Sequence, residues 1–584
     1  MAILLIIAAL MGYAALSRVW NIYRNYQGAV KSGLPVVVCP LDTTSILHVV
    51  FQIPIRVIAK HTLPASLYDR VRLGVMGWEF ADKGAIHERV GPAFILVTAG
   101  MCELWCADPT MAQIILARRK DFVLFPLSSK IMRFLGENIL TSDGEVWARQ
   151  RRIVAPNLNE RISEIVWNES IAQSHQMADH LLNHAGGESR DTINCLRGIA
   201  INVLGQVGYG QPKPFQPMEL PRDPKERMTY VEAISLCTEL LIISALMPGW
   251  LLRLPFMPRV IRTVGAALKN LPGLTEDMLD QERQRQAMTS SEKKLYDQQA
   301  AAGVGGGSKT ERDNLMSQLV RLSDQGRIGG ISSSDKVGVG SGQYLTEDEI
   351  AGNLFIFTGA GFDTTANTMT YAVGLLAAYP DWQAWMQEEL DHVLGGANEE
   401  NGAGLDYATY FPKLNRCLAV MMETLRLFPA VIHIARSTQH DQTVTVRGRT
   451  HVIPGPCIVY ISNPGLHYDR SVWGHDAHAF RPSRWLLSGA ELGGDSQVTP
   501  APRGSFLPWS GGPRVCPGQK MAQVEFVTVF ATLFRRLKVE PAASGGRSLE
   551  EARRYLLELM QDSQIRLTLQ MNKPEEFVLR WVER

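Results

Sequence analysis

One cysteine in this chain sits in a frame built for chemistry. Phe506 to Gly518 reads Phe-Leu-Pro-Trp-Ser-Gly-Gly-Pro-Arg-Val-Cys-Pro-Gly. A thiolate is a strong ligand for a soft or redox-active metal. Cys516 lacks the paired cysteines that a zinc or iron–sulfur site requires. Gly511 and Gly512 let the backbone pass close beneath a flat ring, where a Cβ would collide. Pro513 and Pro517 stiffen the loop. Arg514 offers a planar fork that matches a carboxylate. A lone thiolate with a cation beside it suits the iron of a haem, whose propionates need such a partner. The run Gln519–Phe534 reads as a helix, so Cys516 is expected near a helix N-terminus, where the dipole favours the ionised sulfur.

These residues resemble the haem-binding loop of the cytochrome P-450 family, Phe-x-x-Gly-x-Arg-x-Cys-x-Gly. Trp509, Gly512, Arg514, Cys516 and Gly518 fill the pattern, with Trp509 in place of the phenylalanine. The resemblance implies haem b with Cys516 as axial ligand and Arg514 near a propionate. It extends over about Ala112 to Leu569 and appears at five elements in the family's order. Trp147 and Arg151, four apart on one helix face, resemble the family's Trp-x-x-x-Arg, which implies that both hydrogen-bond a propionate. Arg149 and Arg152 turn away from that face and are expected to meet the acidic flavin domain of a reductase. Ala360–Thr365 resembles the oxygen-activation segment Ala-Gly-x-Asp-Thr-Thr, so Asp363 and Thr364 are expected to deliver protons, in a groove opened by Gly361. Glu423 and Arg426 match Glu-x-x-Arg. Arg484, in Phe480-Arg-Pro-Ser-Arg-Trp485, is the expected third member of a buried charge network that braces the cysteine loop. His433 falls where the family places a propionate-binding Arg or His.

These residues need elements to position them. Thr346-Glu-Asp-Glu349 is a capping box with acids in the first turn. It opens an apolar run that stops before Pro380, so Glu347–Ala378 is expected to be one helix about 50 Å long, central and buried. Further helices are expected at Ala112–Phe122, Asn314–Leu322 and Leu414–Leu427. Short strands are expected at Val444–Val446, Thr450–Ile453 and Ile458–Ile461. Gln286–Tyr344, rich in glycine and serine, reads as a flexible linker. Its Gly303-Val-Gly-Gly-Gly-Ser-Lys-Thr lacks the glycine that a phosphate-binding loop needs before its lysine. Cys102 and Cys106 have the spacing of one helix face and are read as packed thiols. The fold class is mainly α with a small β part, a single large haem domain over residues 33–584 behind an anchor and hinge at 1–32.

The chain has 584 residues, 46% of them hydrophobic, and a formal net charge of +1, so it can bury a large core and gives no electrostatic argument for nucleic acid. Its eight cysteines are too sparse and irregular for a disulfide framework. Met1–Ser17 carries no charge and is followed by Arg18, Arg24 and Lys31 before the first acid, Asp42. The basic flank favours an uncleaved single-span anchor over a signal peptide, with the remainder cytosolic. Ser45–Ala59 reads as lying against the membrane or the core. Cys237–Phe256 reads equally as a bilayer-touching access region or as core.

The expected protein is a haem-thiolate monooxygenase of the fungal microsomal type, in the endoplasmic reticulum membrane. It inserts one oxygen atom from O2 into a small apolar organic substrate, taking electrons from NADPH through a separate reductase. Secondary-metabolite biosynthesis is the expected setting, by family analogy alone. The alternatives are a reductase-independent haem-thiolate isomerase or dehydratase, and a non-enzymatic haem-binding protein. The intact Asp363-Thr364 pair favours the monooxygenase.

Overall fold

A computed structural model describes residues 2–133, 135–183, 188–219, 221, 223–288, 314–331, 344–396, 405–487, 489, 491–543 and 546–584. Most of the expected linker, 289–313 and 332–343, lies outside the described residues. The contacts gather the chain into two compact units, the first comprising Met1–Pro126, Leu425–Phe480 and Pro500–Cys516, the second Leu127–Thr424, Arg481–Thr499 and Pro517–Arg584.

The first unit is built on a five-stranded sheet with the order Val36–Val38, Ala93–Val97, Cys102–Cys106, Cys457–Ser462, His433–Thr438. Successive side chains of a strand point to opposite faces, and the packing divides accordingly. Ile95, Val97, Leu104, Val459 and Ile461 enter one core with Ile115, Leu466 and Leu507. Phe94, Leu96 and Trp105 enter another with Trp78 and Ile86. Cys102 and Cys106 therefore share the face of a strand, not of a helix, and both are buried. A hairpin of Gln442–Val446 and Arg449–Ile453 completes the expected strands, each slightly longer than its sequence run. The helix expected at Ala112–Phe122 is Pro109–Ala117 instead. Asp108 caps it by accepting from the Met111 N–H at 2.8 Å, with Pro109 in the first turn. A capping acid followed by proline starts a helix three residues earlier than the apolar run suggests.

Residues expected to form the anchor open a 29-residue helix, Ala2–Val30. Among the described residues no helix is long and apolar enough to cross a membrane, so the single span expected at Met1–Ser17 is not found. The helix takes Arg18 and Arg24 into its own run, and its far end packs on the sheet. Asn25 donates to the Thr98 carbonyl at 3.0 Å, and Ala29 is fully buried. Residues 22–30 thus belong to the folded unit, while Leu10, Met11, Leu16 and Trp20 are exposed.

In the second unit Glu347–Ala378 is one helix with the boundaries expected from its capping box. The Glu349 N–H donates to Thr346 Oγ1 at 3.2 Å, and the Thr346 N–H to the Glu349 carboxylate at 2.9 Å. Packed around it are Thr192–Tyr209, Tyr230–Glu239, Pro380–Leu394, Gln519–Arg536 and Leu549–Gln561. Gly361 opens no groove at this point. A Cβ there would come within 3.0 Å of Leu204, so the glycine lets Thr192–Tyr209 lie close against the long helix. Two small sheets close the unit, Glu188–Ser189 with Leu579–Glu583 and Leu537–Pro541, and a hairpin of Ser563–Ile565 with Leu569–Met571. The other expected helices are Leu315–Ile331 and Asn415–Leu427. Within Cys237–Phe256, Cys237, Leu241 and Leu252 are core residues, whereas Trp250 and Phe256 are exposed.

Gln519–Arg536 buries Glu525, whose Oε1 has no hydrogen-bond partner among the described residues. Burial pushes its carboxyl up from 4.5 to about 8. The stability it contributes is full below 4.5 and is lost as pH rises through about 8, because the unfolded chain ionises first. Glu525→Gln, neutral throughout, is expected to flatten the fall of the urea midpoint between about pH 5 and about pH 8. An unchanged slope would show that the carboxyl is charged in the fold.

Candidate functional site

In the first unit the loop Phe506–Cys516 holds its own peptides. The Ser510 N–H donates to the Leu507 carbonyl at 3.0 Å, and the Cys516 N–H to the Trp509 carbonyl at 2.9 Å. Gly512 has φ +64, and a Cβ on it would stand 2.6 Å from the Leu116 carbonyl oxygen. Gly511 faces the Leu116 side chain in the same way. Both positions pack closely on the helix Pro109–Ala117.

Seven of the eight cysteines are buried, and Cys516 is exposed. Burial pushes the thiols of Cys39, Cys106, Cys195 and Cys237 up to about 12, and that of Cys102 to about 11. Cys417 and Cys457 go the same way for the same reason. Cys516 lies just ahead of the helix Gln519–Arg536, whose N-cap is Gly518. Arg514, half-buried, ends the short turn Gly512–Arg514. His433 opens the strand His433–Thr438, with its Nδ1 against the buried carboxylate of Glu79. Trp105 and Tyr460 meet its ring edge-on, with centroids 6.0 Å and 4.8 Å away. Any further partner of His433 has to meet Nε2.

In the second unit Trp147 and Arg151 lie on the helix Gly144–Val154, the tryptophan buried. Arg149 is not open to a redox partner. Its guanidinium clasps Glu349 at 2.8 and 2.6 Å and donates to the Tyr344 carbonyl at 2.7 Å. Gln150 donates to the same carboxylate at 3.2 Å and accepts from Asn353 at 3.0 Å. Burial pushes the Glu349 carboxyl up, but Arg149 and the capping N–H outweigh it and hold the group below its ordinary value. The capping acid of the long helix had a partner 200 residues away, and nothing in the local pattern showed it. Arg152 alone of the two expected surface arginines is exposed.

Asp363 and Thr364 are neighbours in sequence but face different surroundings. The Asp363 carboxylate accepts from Thr568 Oγ1 at 2.6 Å and Gln570 Nε2 at 3.3 Å, with the Arg197 guanidinium at 3.5 Å. Asn367 in turn donates to Thr568 at 2.7 Å. The Thr364 hydroxyl donates to the Ala360 carbonyl of its own helix at 2.8 Å. No hydrogen bond joins the two residues among those described. Arg197, Thr568 and Gln570 carried no sequence signal, because each meets Asp363 only through the fold.

The expected charge network is present on its Glu423–Arg484 side. The fully buried Glu423 carboxylate accepts from Arg484 Nε at 3.0 Å, the Arg481 N–H at 2.9 Å and Trp485 Nε1 at 2.9 Å. Arg426, also fully buried, donates in the first unit to the carbonyls of His467 at 2.8 Å, Ala477 at 2.5 Å and Ala479 at 3.1 Å.

The cytochrome P450 family model matches residues 84–565. The chain is 31% identical to a phomenoic acid biosynthesis cluster cytochrome P450 monooxygenase of Leptosphaeria maculans, over 91% of each chain. It is 27% identical to the cytochrome P450 monooxygenase prx9 of Penicillium rubens, over 88% of this chain and 87% of that one. It is 26% identical to cytochrome P450 4d8 of Drosophila melanogaster, over 78% and 91%. The chain belongs to the cytochrome P450 family. It is a monooxygenase, an oxidoreductase that uses haem b ligated by a cysteine thiolate, and it works on an organic substrate with O2 and a redox partner.

Removing one partner from a buried ion pair strands the other. Arg149→Ala is therefore expected to cost about 3 kcal/mol of unfolding free energy in urea. Unchanged stability, with slower and salt-dependent reduction by a reductase, would return Arg149 to the role of a docking residue.

Proposed function

We propose that Cys516 is the axial ligand of the haem iron in a monooxygenase that oxidises a small apolar organic substrate. The observation that carries this is the contrast among the cysteines: seven are buried and held as neutral thiols, and Cys516 is exposed on a braced loop just ahead of a helix N-terminus. The residues fit a haem. In the first unit Arg514 and His433 would hold its propionates; Trp147 and Arg151 are assigned the same task by the family pattern alone. When bound, the haem activates dioxygen, so that one oxygen atom enters the substrate and the other leaves as water.

The chain's own part is to orient and to move protons. The Thr364 hydroxyl can both donate and accept. Turning from the Ala360 carbonyl, it would hold the water that passes protons into the site. Asp363 is the acid behind it. Arg197, Thr568 and Gln570 hold its carboxylate in place, so it would feed protons through water and not by direct contact with Thr364. Glu423, Arg426 and Arg484 brace the backbone on which the site stands.

Electrons would come from NADPH through a separate reductase. The setting is secondary metabolism, which the name of the Leptosphaeria relative supports. The endoplasmic reticulum membrane is the place, with the catalytic part in the cytosol. The exposed apolar residues of the helix Ala2–Val30, among them Leu10, Leu16 and Trp20, would supply the attachment.

Two variants test this reading. Cys516→Ser should abolish the thiolate signature in the spectrum of the reduced carbon monoxide complex; a signature that survives assigns the ligand elsewhere. Thr364→Val keeps shape and helix position while removing the hydroxyl. Haem content and substrate affinity should match wild type, while more of the NADPH consumed ends as hydrogen peroxide and less as product. Wild-type coupling would remove Thr364 from proton transfer.

A further inference from the structure

His467 is fully buried and makes three hydrogen bonds, each aimed at the cysteine loop or at Arg426. Its Nε2 lies 3.2 Å from the Leu507 backbone nitrogen. A backbone N–H can only donate, so Nε2 accepts and the ring proton is on Nδ1. Nδ1 then donates to the Arg426 carbonyl at 3.2 Å. The His467 carbonyl accepts from Arg426 Nη1 at 2.8 Å, so the two residues clamp each other through backbone and side chain. The Phe506 ring lies against the imidazole, with centroids 5.0 Å apart.

The arrangement continues toward the sulfur. The Leu507 peptide gives its N–H to His467, and its carbonyl accepts the Ser510 N–H at 3.0 Å. The Trp509 carbonyl accepts the Cys516 N–H at 2.9 Å. His467 thus holds the Leu507 N–H at the start of the loop. An imidazolium could not serve, because a second N–H would face the Leu507 N–H. Burial, with the Arg426 charge beside it, pushes the His467 pKa down to about 3, which keeps the acceptor available.

We propose that His467 is a positioning residue for the iron ligand: its neutral imidazole, clamped to Arg426, accepts from the Leu507 N–H and so sets the loop that presents Cys516. This rests on Cys516 being the ligand.

Substitution can separate the two ring nitrogens. A glutamine places an amide oxygen near the Nε2 position and can accept from Leu507. An asparagine reaches only the Nδ1 position and can satisfy the Arg426 carbonyl alone. His467→Phe keeps ring volume and loses both bonds. The full-length haem-loaded enzyme is compared as wild type, His467→Gln, His467→Asn, His467→Phe and Cys516→Ser. Two quantities are read: the thiolate signature of the reduced carbon monoxide complex, and its rate of loss in mild urea at constant far-ultraviolet circular dichroism. His467→Gln should hold the signature about as long as wild type, while His467→Asn and His467→Phe should lose it severalfold faster. A general stability role would make the two amides behave alike. If His467→Phe does not fold, the glutamine–asparagine pair decides. Equal persistence in His467→Asn and wild type, or loss in His467→Gln as fast as in His467→Asn, overturns the proposal while the ligand assignment stands. A signature retained in Cys516→Ser overturns both.

Discussion

A loop that leaves its sulfur exposed must satisfy its own peptide groups, since no helix or strand does it for them. Phe506–Cys516 meets this with bonds inside the loop and one bond to a buried imidazole. Gly512 serves the same end by letting the chain lie directly on the Leu116 carbonyl. Buried thiols are poor ligands until they ionise, and desolvation opposes ionisation. Exposure together with rigidity therefore separates Cys516 from the other seven cysteines. The helix Pro109–Ala117 and His467 supply contacts that hold this loop in place.

Buried charge follows one pattern throughout. Glu423, Asp363 and Glu349 each carry a carboxylate deep in the second unit, and each collects three or more donors from distant parts of the chain. A buried ion is costly unless its remaining lone pairs are satisfied. Glu423 draws on side chains and a backbone N–H, Asp363 on a helix and a hairpin, Glu349 on its own cap and a second helix. Each acid thus fixes the relative placement of elements that apolar packing alone would let slide. In this class of enzyme such precision serves the cofactor, whose reactive atom has to meet substrate in one orientation.

How far the sequence could be read depended on whether a signal was local. The capping box at Thr346–Glu349 and the stop at Pro380 gave both ends of the long helix, because caps and breakers act within one turn. The pair Glu423 and Arg484 was legible only through the family pattern, and the donors Arg481 N–H and Trp485 came with it. Elsewhere local reading misled. Asp108 and Pro109 move a helix start that apolar spacing placed later. Cys102 and Cys106 satisfy both a helix face and a strand face, and the strand pairing with Cys457–Ser462 decided it. The uncharged run at Met1–Ser17 suggested a span, but the helix continues through Arg18 and docks at Asn25 and Ala29. Arg197, Glu79 and His467 were invisible for a different reason. Each is an ordinary residue locally, and its role exists only against a partner brought close by the fold.

Asp363 and Thr364 carry the same lesson into the chemistry. Adjacent residues on an α-helix point about 100° apart, so an acid–alcohol pair cannot face one ligand together by adjacency alone. The structure commits the acid to Arg197, Thr568 and Gln570, and the alcohol to its own helix carbonyl. A proton exchanged between them would therefore need a bridge, since no hydrogen bond joins the two among the described residues. The hydroxyl can turn without disturbing the fold, since its present bond is one that a helical threonine makes and breaks cheaply. The carboxylate cannot move without giving up Thr568, Gln570 and the Arg197 guanidinium, whose other acid is Glu239 at 3.8 Å. Mobility thus belongs to Thr364 and position to Asp363, on a helix that also holds the core of the second unit.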